Sequence, residues 1–375
     1  MKKIGALFCP FLLLMLMGLT SPSAYPVDIK TGIEGFSLSI HGDIDSLFSF
    51  YEGWNEPSKS PFRFPDRSYL GLTSEYKNVG IDASYYIYKP WEEGSLAEYS
   101  HFWHKIYFYW KFSDEFMFKV GMFDLNFALK FDSTWWMSIL WCLGMEEPYD
   151  TGLGIEYHGK KTPIGLYLSY FRDKEGTYDQ PATYDPAPGT GEKDIIVGRL
   201  IYPFQLAEGT KLELGIAGYH GRTQEYTIND VDWTEGDRTM FDADAVLSIG
   251  DNLTFSAEFI RFNFNTKASD GSKWMPMSGF GMPDYYSTPL EGSTYWLDGM
   301  YTKPLDFKFL QSVSVANNFS AIIPKDGENI YQNTVSLQFQ SVSTYTWIEW
   351  IMYKDDNLPD AKWDWMLTTI LRYSF

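Results

Sequence analysis

Asp242 and Asp244 stand two residues apart, as do Asp43 and Asp45. Side chains on a strand repeat every second residue, so each pair places two carboxylates on one face. Such oxygens can ligate Ca2+, but a site takes about six to eight of them. The expected role is therefore a solvated acidic wall. The same parity collects twelve acids: Asp43, Asp45, Glu75, Asp82, Glu156, Glu213, Asp242, Asp244, Glu258, Asp298, Glu349 and Asp364. It collects seven bases: Arg67, Lys105, Lys111, Lys119, Arg199, Lys308 and Arg372. Each ionised group would cost several kcal/mol to desolvate, so a dry core cannot hold them all. They belong on a face that meets water, and a net acidic passage favours cations modestly.

Aromatic residues fall on the same faces: Tyr86, Tyr88, Trp103, Tyr107, Tyr109, Tyr219 and Trp296. Rings in an aqueous passage can stack on a sugar's C–H face, with Trp103, Tyr107, Tyr109 and Trp296 as the candidates. The competing and stronger reading places them in girdles near the rims, or on the other face after a bulge, since a one-residue slip swaps faces.

Residues 129–148 read LKFDSTWWMSILWCLGMEEP. Trp135, Trp136, Ile139, Leu140, Trp141 and Leu143 make this stretch too apolar to stand in water. It must fold inward, pack on a wall or meet a neighbouring subunit. Folded inward, Asp132, Glu146, Glu147 and Asp150 would face Lys105, Lys111 or Lys119 across a narrow gap. Packed otherwise, it simply caps the structure.

Catalytic constellations are weak. His41, His101, His104, His158 and His220 show no zinc-helix spacing, and no nucleophile elbow is present. His104 falls on the apolar parity of its strand, which suggests an interfacial position. Cys142 lies between Trp141 and Leu143, surroundings that raise a thiol pKa, so packing is its expected role. No metal, cofactor or enzymatic activity is expected, and a membrane-embedded hydrolase ranks last.

The elements that must position these residues show a period of two. In Thr334-Val335-Ser336-Leu337-Gln338-Phe339-Gln340 the apolar residues share one face and the polar residues the other, as in a half-buried strand. Sixteen such segments lie near 35–51, 66–78, 79–90, 100–113, 115–128, 149–159, 163–172, 194–203, 210–221, 238–250, 252–264, 292–304, 306–319, 328–341, 342–354 and 362–375. Short turns such as Lys77-Asn78 and Gly250-Asp251-Asn252 alternate with long polar stretches at 52–65, 129–148, 173–193, 222–237, 265–291 and 318–327. Short on one end and long on the other is the pattern of a transmembrane β-barrel. A sheet this wide must close to protect its edges. The outward residues include Ile81, Ala83, Tyr85 and Ile87, then Phe116, Phe118, Val120 and Met122, then Val335, Leu337 and Phe339. The expected fold is thus all-β: a sixteen-stranded antiparallel transmembrane barrel with short periplasmic turns and long extracellular loops. A barrel of that size leaves a water-filled channel.

Bulk properties agree with it. The 375 residues are 18% aromatic, with 27 Tyr, 28 Phe and 14 Trp, and the formal charge is −19. Tyr and Trp in such numbers suit a membrane–water interface, and the acidity argues against nucleic-acid binding. Lys2 and Lys3, the apolar run 4–19 and the small residues 20–24 read as a signal peptide cleaved after Ala24. Residues 25–375 then form one domain. Cys9 leaves with the signal, so Cys142 has no internal partner.

The signal, the sixteen-strand alternation and the terminal pair Tyr373 and Phe375 at spacing two together resemble Gram-negative outer-membrane porins of the sixteen-stranded type. Two segments, FRFPDRSYLGLTSEYKNVGIDASYYIY and FMFKVGMFDLNFALKFDST, are similar to porins of the phosphate-selective type, O and P. A phosphate site needs clustered Lys or Arg; the inward list is acidic, so no binding residue is carried over. The resemblance implies a homo-trimer in the outer membrane, in contact with lipid and lipopolysaccharide, passing small hydrophilic solutes. It implies that residues 129–148 form the constriction. It also implies that Tyr373 and Phe375 are the signal read by the outer-membrane assembly machinery. Leu367, Thr369, Leu371, Tyr373 and Phe375 should then face lipid, with Arg372 at the pore mouth.

Overall fold

The structure is a computed structural model that describes residues 27–29, 32–52, 62–63, 67–88, 100–129, 133–135, 149–172, 192–228, 230–277, 286–307, 309–357 and 361–375. Among these residues there is no helix.

Sixteen strands form the barrel: β1 (Phe36–Glu52), β2 (Arg67–Tyr76), β3 (Val79–Tyr88), β4 (Ser100–Lys111), β5 (Phe116–Asp124), β6 (Tyr149–His158), β7 (Gly165–Phe171), β8 (Lys193–Ala207), β9 (Thr210–Thr223), β10 (Gly236–Ile249), β11 (Leu253–Phe264), β12 (Glu291–Pro304), β13 (Ser312–Pro324), β14 (Ile330–Gln340), β15 (Thr344–Asp355) and β16 (Asp364–Ser374). Each pairs antiparallel with its sequence neighbour. The ladder from Asp43↔Ser374 to Glu52↔Trp365 joins β1 to β16 and closes the sheet. β1 divides its length between two partners, since its first half pairs with β2. The edges this leaves are covered: Val27–Asp28 lies on Ser39 and Ile40, and Phe62–Arg63 on Leu47 and Phe48. Closure leaves no long edge to recruit another chain.

β1 begins and β16 ends at the short-turn end. Gly209 (φ 69°) and Gly250 (φ 57°) make two of these turns in the left-handed region open to glycine. The Gly250 amide donates to the Gly209 carbonyl at 2.6 Å, tying adjacent hairpins together.

The outer face is apolar. Ile81, Phe116, Val120, Phe255, Val335 and Leu337 are exposed there. Aromatics gather toward the short-turn end, where Trp110 meets Phe112 and Phe112 stacks on Phe116, each at 5.6 Å. This is the arrangement a lipid-facing barrel needs.

Three elements differ from expectation. β5 ends at Asp124, not near 128, because Leu125 and Phe127 continue the apolar alternation into the barrel interior, where both are buried. β13 runs to Pro324, so the polar stretch expected at 318–327 is mostly strand. Asn318 and Ser320 look like turn formers but are buried on the inner wall. β4 carries a bulge: Ser84 pairs with Lys105 while Tyr85 pairs with Trp103, leaving His104 as the extra residue.

The core lies inside the barrel. Toward the long-loop end of β7–β14, Phe171, Val197, Ile260, Phe262, Trp296 and Ile322 pack with Phe123 and Phe127 and with Met275 from a long loop. These side chains fill that part of the lumen and leave almost none of their surface exposed.

Candidate functional site

The inward segment begins where β5 ends. The Asn126 amide donates to Asp124 Oδ1 at 2.9 Å, and Asn126 sits at φ 53°, a left-handed conformation that Asn tolerates. This reversal sends residues 125–129 and 133–135 along the inner wall. Asn126 Nδ2 donates to Glu156 of β6 at 3.4 Å. The Phe127 carbonyl accepts from Arg199 Nη1 of β8 at 2.6 Å. The Leu129 amide donates to Glu258 of β11 at 2.6 Å. Ser133 donates through Oγ to Asp298 of β12, and its carbonyl accepts from Gln338 of β14. The Trp135 amide donates to Glu349 of β15 at 2.7 Å, and its indole Nε1 to Asp45 of β1 at 3.0 Å. The segment is thus tied to seven strands. Carboxylates accept many of these bonds, and bonds to ionised acceptors are the stronger kind.

Arg199 anchors one end of this path. Its Nη1 lies 2.9 Å from Asp242 Oδ2 and its Nη2 2.6 Å from Asp244 Oδ2, with all three side chains buried. Carboxylate oxygens of Asp242, Asp244 and Glu258 come within 4.8 Å of one another, a spacing that would suit a cation. The guanidinium and the Leu129 amide already engage them, so the cluster reads as a charged anchor for the loop.

The opposite wall, β2–β6, has a different character. Lys105 pairs with Asp82 at 3.1 Å, Lys111 with Glu75 at 2.5 Å and Lys119 with Glu156 at 2.6 Å. Tyr107 and Tyr109 donate to Asp82 and Glu75 at 3.3 and 2.6 Å. Lys119 lies over the Tyr107 ring and Lys111 over the Tyr109 ring. Lys105 and Lys111 keep 31% and 46% exposure, against 5% for Arg199, so water reaches this wall. Tyr69 stacks on Tyr86 at 5.2 Å, and Tyr86 meets His104 at 4.2 Å. Arg372 of β16 closes the ring of charges, with Nε and Nη2 on Asp45 at 2.8 and 2.7 Å and Nη1 3.4 Å from Asp43.

Several expected positions are corrected. Trp103 is 43% exposed on the outer face beside Tyr85, because the β4 bulge reverses parity at that point. The same bulge turns His104 inward, where it is buried, not interfacial. Trp296 faces inward and is buried in the core cluster, with 2% of its surface exposed. Asp150 is buried at the start of β6. Arg67 opens β2, and its side chain lies outside the described residues, as do Asp132, Glu146, Glu147, Cys142 and Lys308. Tyr373 and Phe375 stack at 6.4 Å.

Sequence reasoning missed the buried pair Arg238 and Glu192, joined at 3.0 Å. Arg238 shares the parity of Asp242 and Asp244, so extending that face by four residues would have found it. Glu192 precedes β8 and carried no periodic signal.

No family model matches the chain, and no curated protein does. Solved structures do. The outer membrane channel DcaP of Acinetobacter baumannii superposes with a TM-score of 0.57 at 12% identity, over 94% of this chain and all of that one. OmpT of Vibrio cholerae, expressed in the outer membrane, gives 0.58 at 9% identity over 93% and 100%. OprB of Pseudomonas putida gives 0.57 at 10% identity over 91% and 94%. At these identities the likeness is one of fold, and the fold is that of sixteen-stranded outer-membrane porins and channels.

Proposed function

We propose that this chain is an outer-membrane porin through which small hydrophilic solutes diffuse passively. The observation that carries the reading is a closed barrel with a lipid-compatible outside and a partly exposed, charged inner wall at Lys105, Asp82, Lys111 and Glu75. Residues 129–148 act as the constriction; of these, Leu129 and residues 133–135 lie among the described residues, and their bonds to the inner wall support the reading. The inward acids outnumber the bases and set a weak preference for cations. Residues 1–24 serve as a cleaved export signal. Tyr373 and Phe375 are read by the assembly machinery, and three copies associate in a lipopolysaccharide-bearing membrane. Purified protein in planar bilayers should give stable conductance steps, and a KCl gradient should give a reversal potential of cation-selective sign. Absence of conductance from folded protein sinks the porin reading; an anion-selective sign sinks only the acidic-wall argument.

The stacked pair Tyr69 and Tyr86, with Tyr107 and Tyr109 on the same wall, favours a second reading: a channel biased toward sugars or another nutrient. Concentration-dependent block of conductance by sugars separates the two.

A further inference from the structure

Toward the short-turn end, the described residues of the inner face carry their charges in opposite pairs. On β2–β6 three lysines stand among three acids, Lys105 with Asp82, Lys111 with Glu75 and Lys119 with Glu156. A fourth acid, Asp150, is buried at the long-loop end. Arg372 holds Asp43 and Asp45 together. On β9, Lys211 and Glu213 form another pair at 3.0 Å, with side chains 50% and 33% exposed. Parity puts both on the inner face, since their even-numbered neighbours Leu214 and Ile216 are exposed on the outer one. The acids of the opposite wall, Glu258, Asp298 and Glu349, accept bonds from the inward segment.

The two lysines of β4 stand six residues apart, a distance of about 20 Å on an extended strand. Between them lie Tyr107 and Tyr109, with ring centroids 6.2 Å apart. Their hydroxyls donate to the same Asp82 and Glu75 that hold the lysines, which fixes both acids in place. An ammonium has three donors, and Lys105 and Lys111 each use one on their acid. Each pair therefore shows the lumen a donor and an acceptor side by side.

We infer that this wall, through Lys105 with Asp82 and Lys111 with Glu75, passes zwitterionic α-amino acids faster than neutral solutes of the same size. The inference rests on the porin reading and names its solute class. A neutral solute gains little from two charges already joined. A singly charged solute replaces one partner only and leaves the other charge without one. A zwitterion replaces both at once: its carboxylate accepts from the lysine while its ammonium donates to the acid, so no ion pair is lost. An α-amino acid carries its two charges on either side of one carbon, a separation comparable to the 3.1 Å between Lys105 Nζ and Asp82 Oδ2. The pairs repeat along the wall, so a solute leaving one meets the next. Exposed pairs hold weakly, so entry is favoured without trapping.

The test compares the swelling rates of proteoliposomes in isosmotic L-alanine and in lactamide, its neutral analogue of nearly equal size. Wild type should admit alanine faster, by up to about fivefold, the scale set by an exposed ion pair. Lys105→Met, Asp82→Asn, Lys111→Met and Glu75→Gln combined removes two pairs at constant net charge and should abolish the difference. Lys111→Glu with Glu75→Lys reverses one pair and should retain the preference. Arg261→Gln with Glu291→Gln, a pair on the outer face, should leave the ratio of rates unchanged. A second measurement needs no variant: L-alanine should reduce the single-channel current of wild type in KCl more than lactamide does at equal concentration. A wild-type rate for alanine no greater than for lactamide, an unchanged ratio in the fourfold variant, an equal fall in the outer-face control, or equal effects on current overturns the proposal. Swelling in neither solute is a different failure, because it removes the porin reading itself and this proposal with it.

Discussion

Arg199 holds two buried carboxylates and a loop carbonyl at once. Arg199→Met would leave Asp242 and Asp244 buried without a counter-charge. Breaking a buried pair from one side costs about 3–5 kcal/mol. A lower urea midpoint for the folded barrel in micelles is the expected outcome, and adding Asp242→Asn and Asp244→Asn to that variant should recover much of the loss. An unchanged midpoint would show that water already screens the cluster. The faces of these residues were legible, because an even spacing on an unbroken strand fixes the side on which each one lies. Trp103 was not legible, since nothing in the sequence around His104 announces the extra residue that reverses parity there. What the two carboxylate pairs do was hidden as well. Asp45, Glu258, Asp298 and Glu349 looked like a solvated wall, yet each accepts a hydrogen bond from the inward segment. Their partners lie 90 or more residues away, beyond the reach of any periodic signal.

At the scale of elements, the inward segment is a strap whose first turn, with Leu125 and Phe127, is buried in the core and whose remainder is held by separate bonds. A hydrogen bond to a charged group contributes roughly 1.5–3 kcal/mol, so removing one leaves the others in place. Glu349→Ala with Asp298→Ala removes the ties of Trp135 and Ser133 to β15 and β12 and should loosen the far end of the strap, which keeps its bonds to Asp45 and Gln338. Single-channel conductance should rise and its current noise increase, while the barrel itself stays folded. Conductance equal to wild type would show that the strap does not narrow the path. The turn into the strap gives a second expectation. Asn126 occupies the left-handed region, where a β-branched residue is strained by about 1–2 kcal/mol. Asn126→Val should therefore loosen the near end, read as faster proteolysis between β5 and β6. The sixteen strands were readable because each alternates over most of its length. The strap was readable only as a stretch too apolar for water, since many of its bonds are made through backbone amides and carbonyls, which carry no residue-type signal. Composition could say that residues 129–148 must be covered, without saying by what.

Taken whole, the molecule divides its lumen. The half under the long loops at β7–β14 is a packed apolar core, while the wall at β2–β6 stays wet. Alternation could not separate these halves, because the inner face of β11 changes from Glu258 to Ile260, Phe262 and Phe264 partway along the strand. Phe262→Ala distinguishes a dry half from an open one. In a packed site the loss should be about 3–5 kcal/mol, seen as a lower thermal midpoint in detergent; in an open channel it would be slight. The closing seam carries the last prediction. Phe375 exchanges two backbone hydrogen bonds with Gly42, each 2.9 Å long, and a Cβ at position 42 would come within 2.9 Å of its ring. The ring thus packs against Gly42 at the end of a ladder that continues from Asp43↔Ser374 to Glu52↔Trp365. Removing the ring leaves that ladder intact, so Phe375→Ala should refold from urea into liposomes with nearly wild-type yield. If assembly machinery reads the terminal aromatic, the same variant should reach the membrane poorly when expressed in cells. Equal losses in both settings would make Phe375 a structural clamp, and no loss in either would remove the terminal pair from any role in assembly.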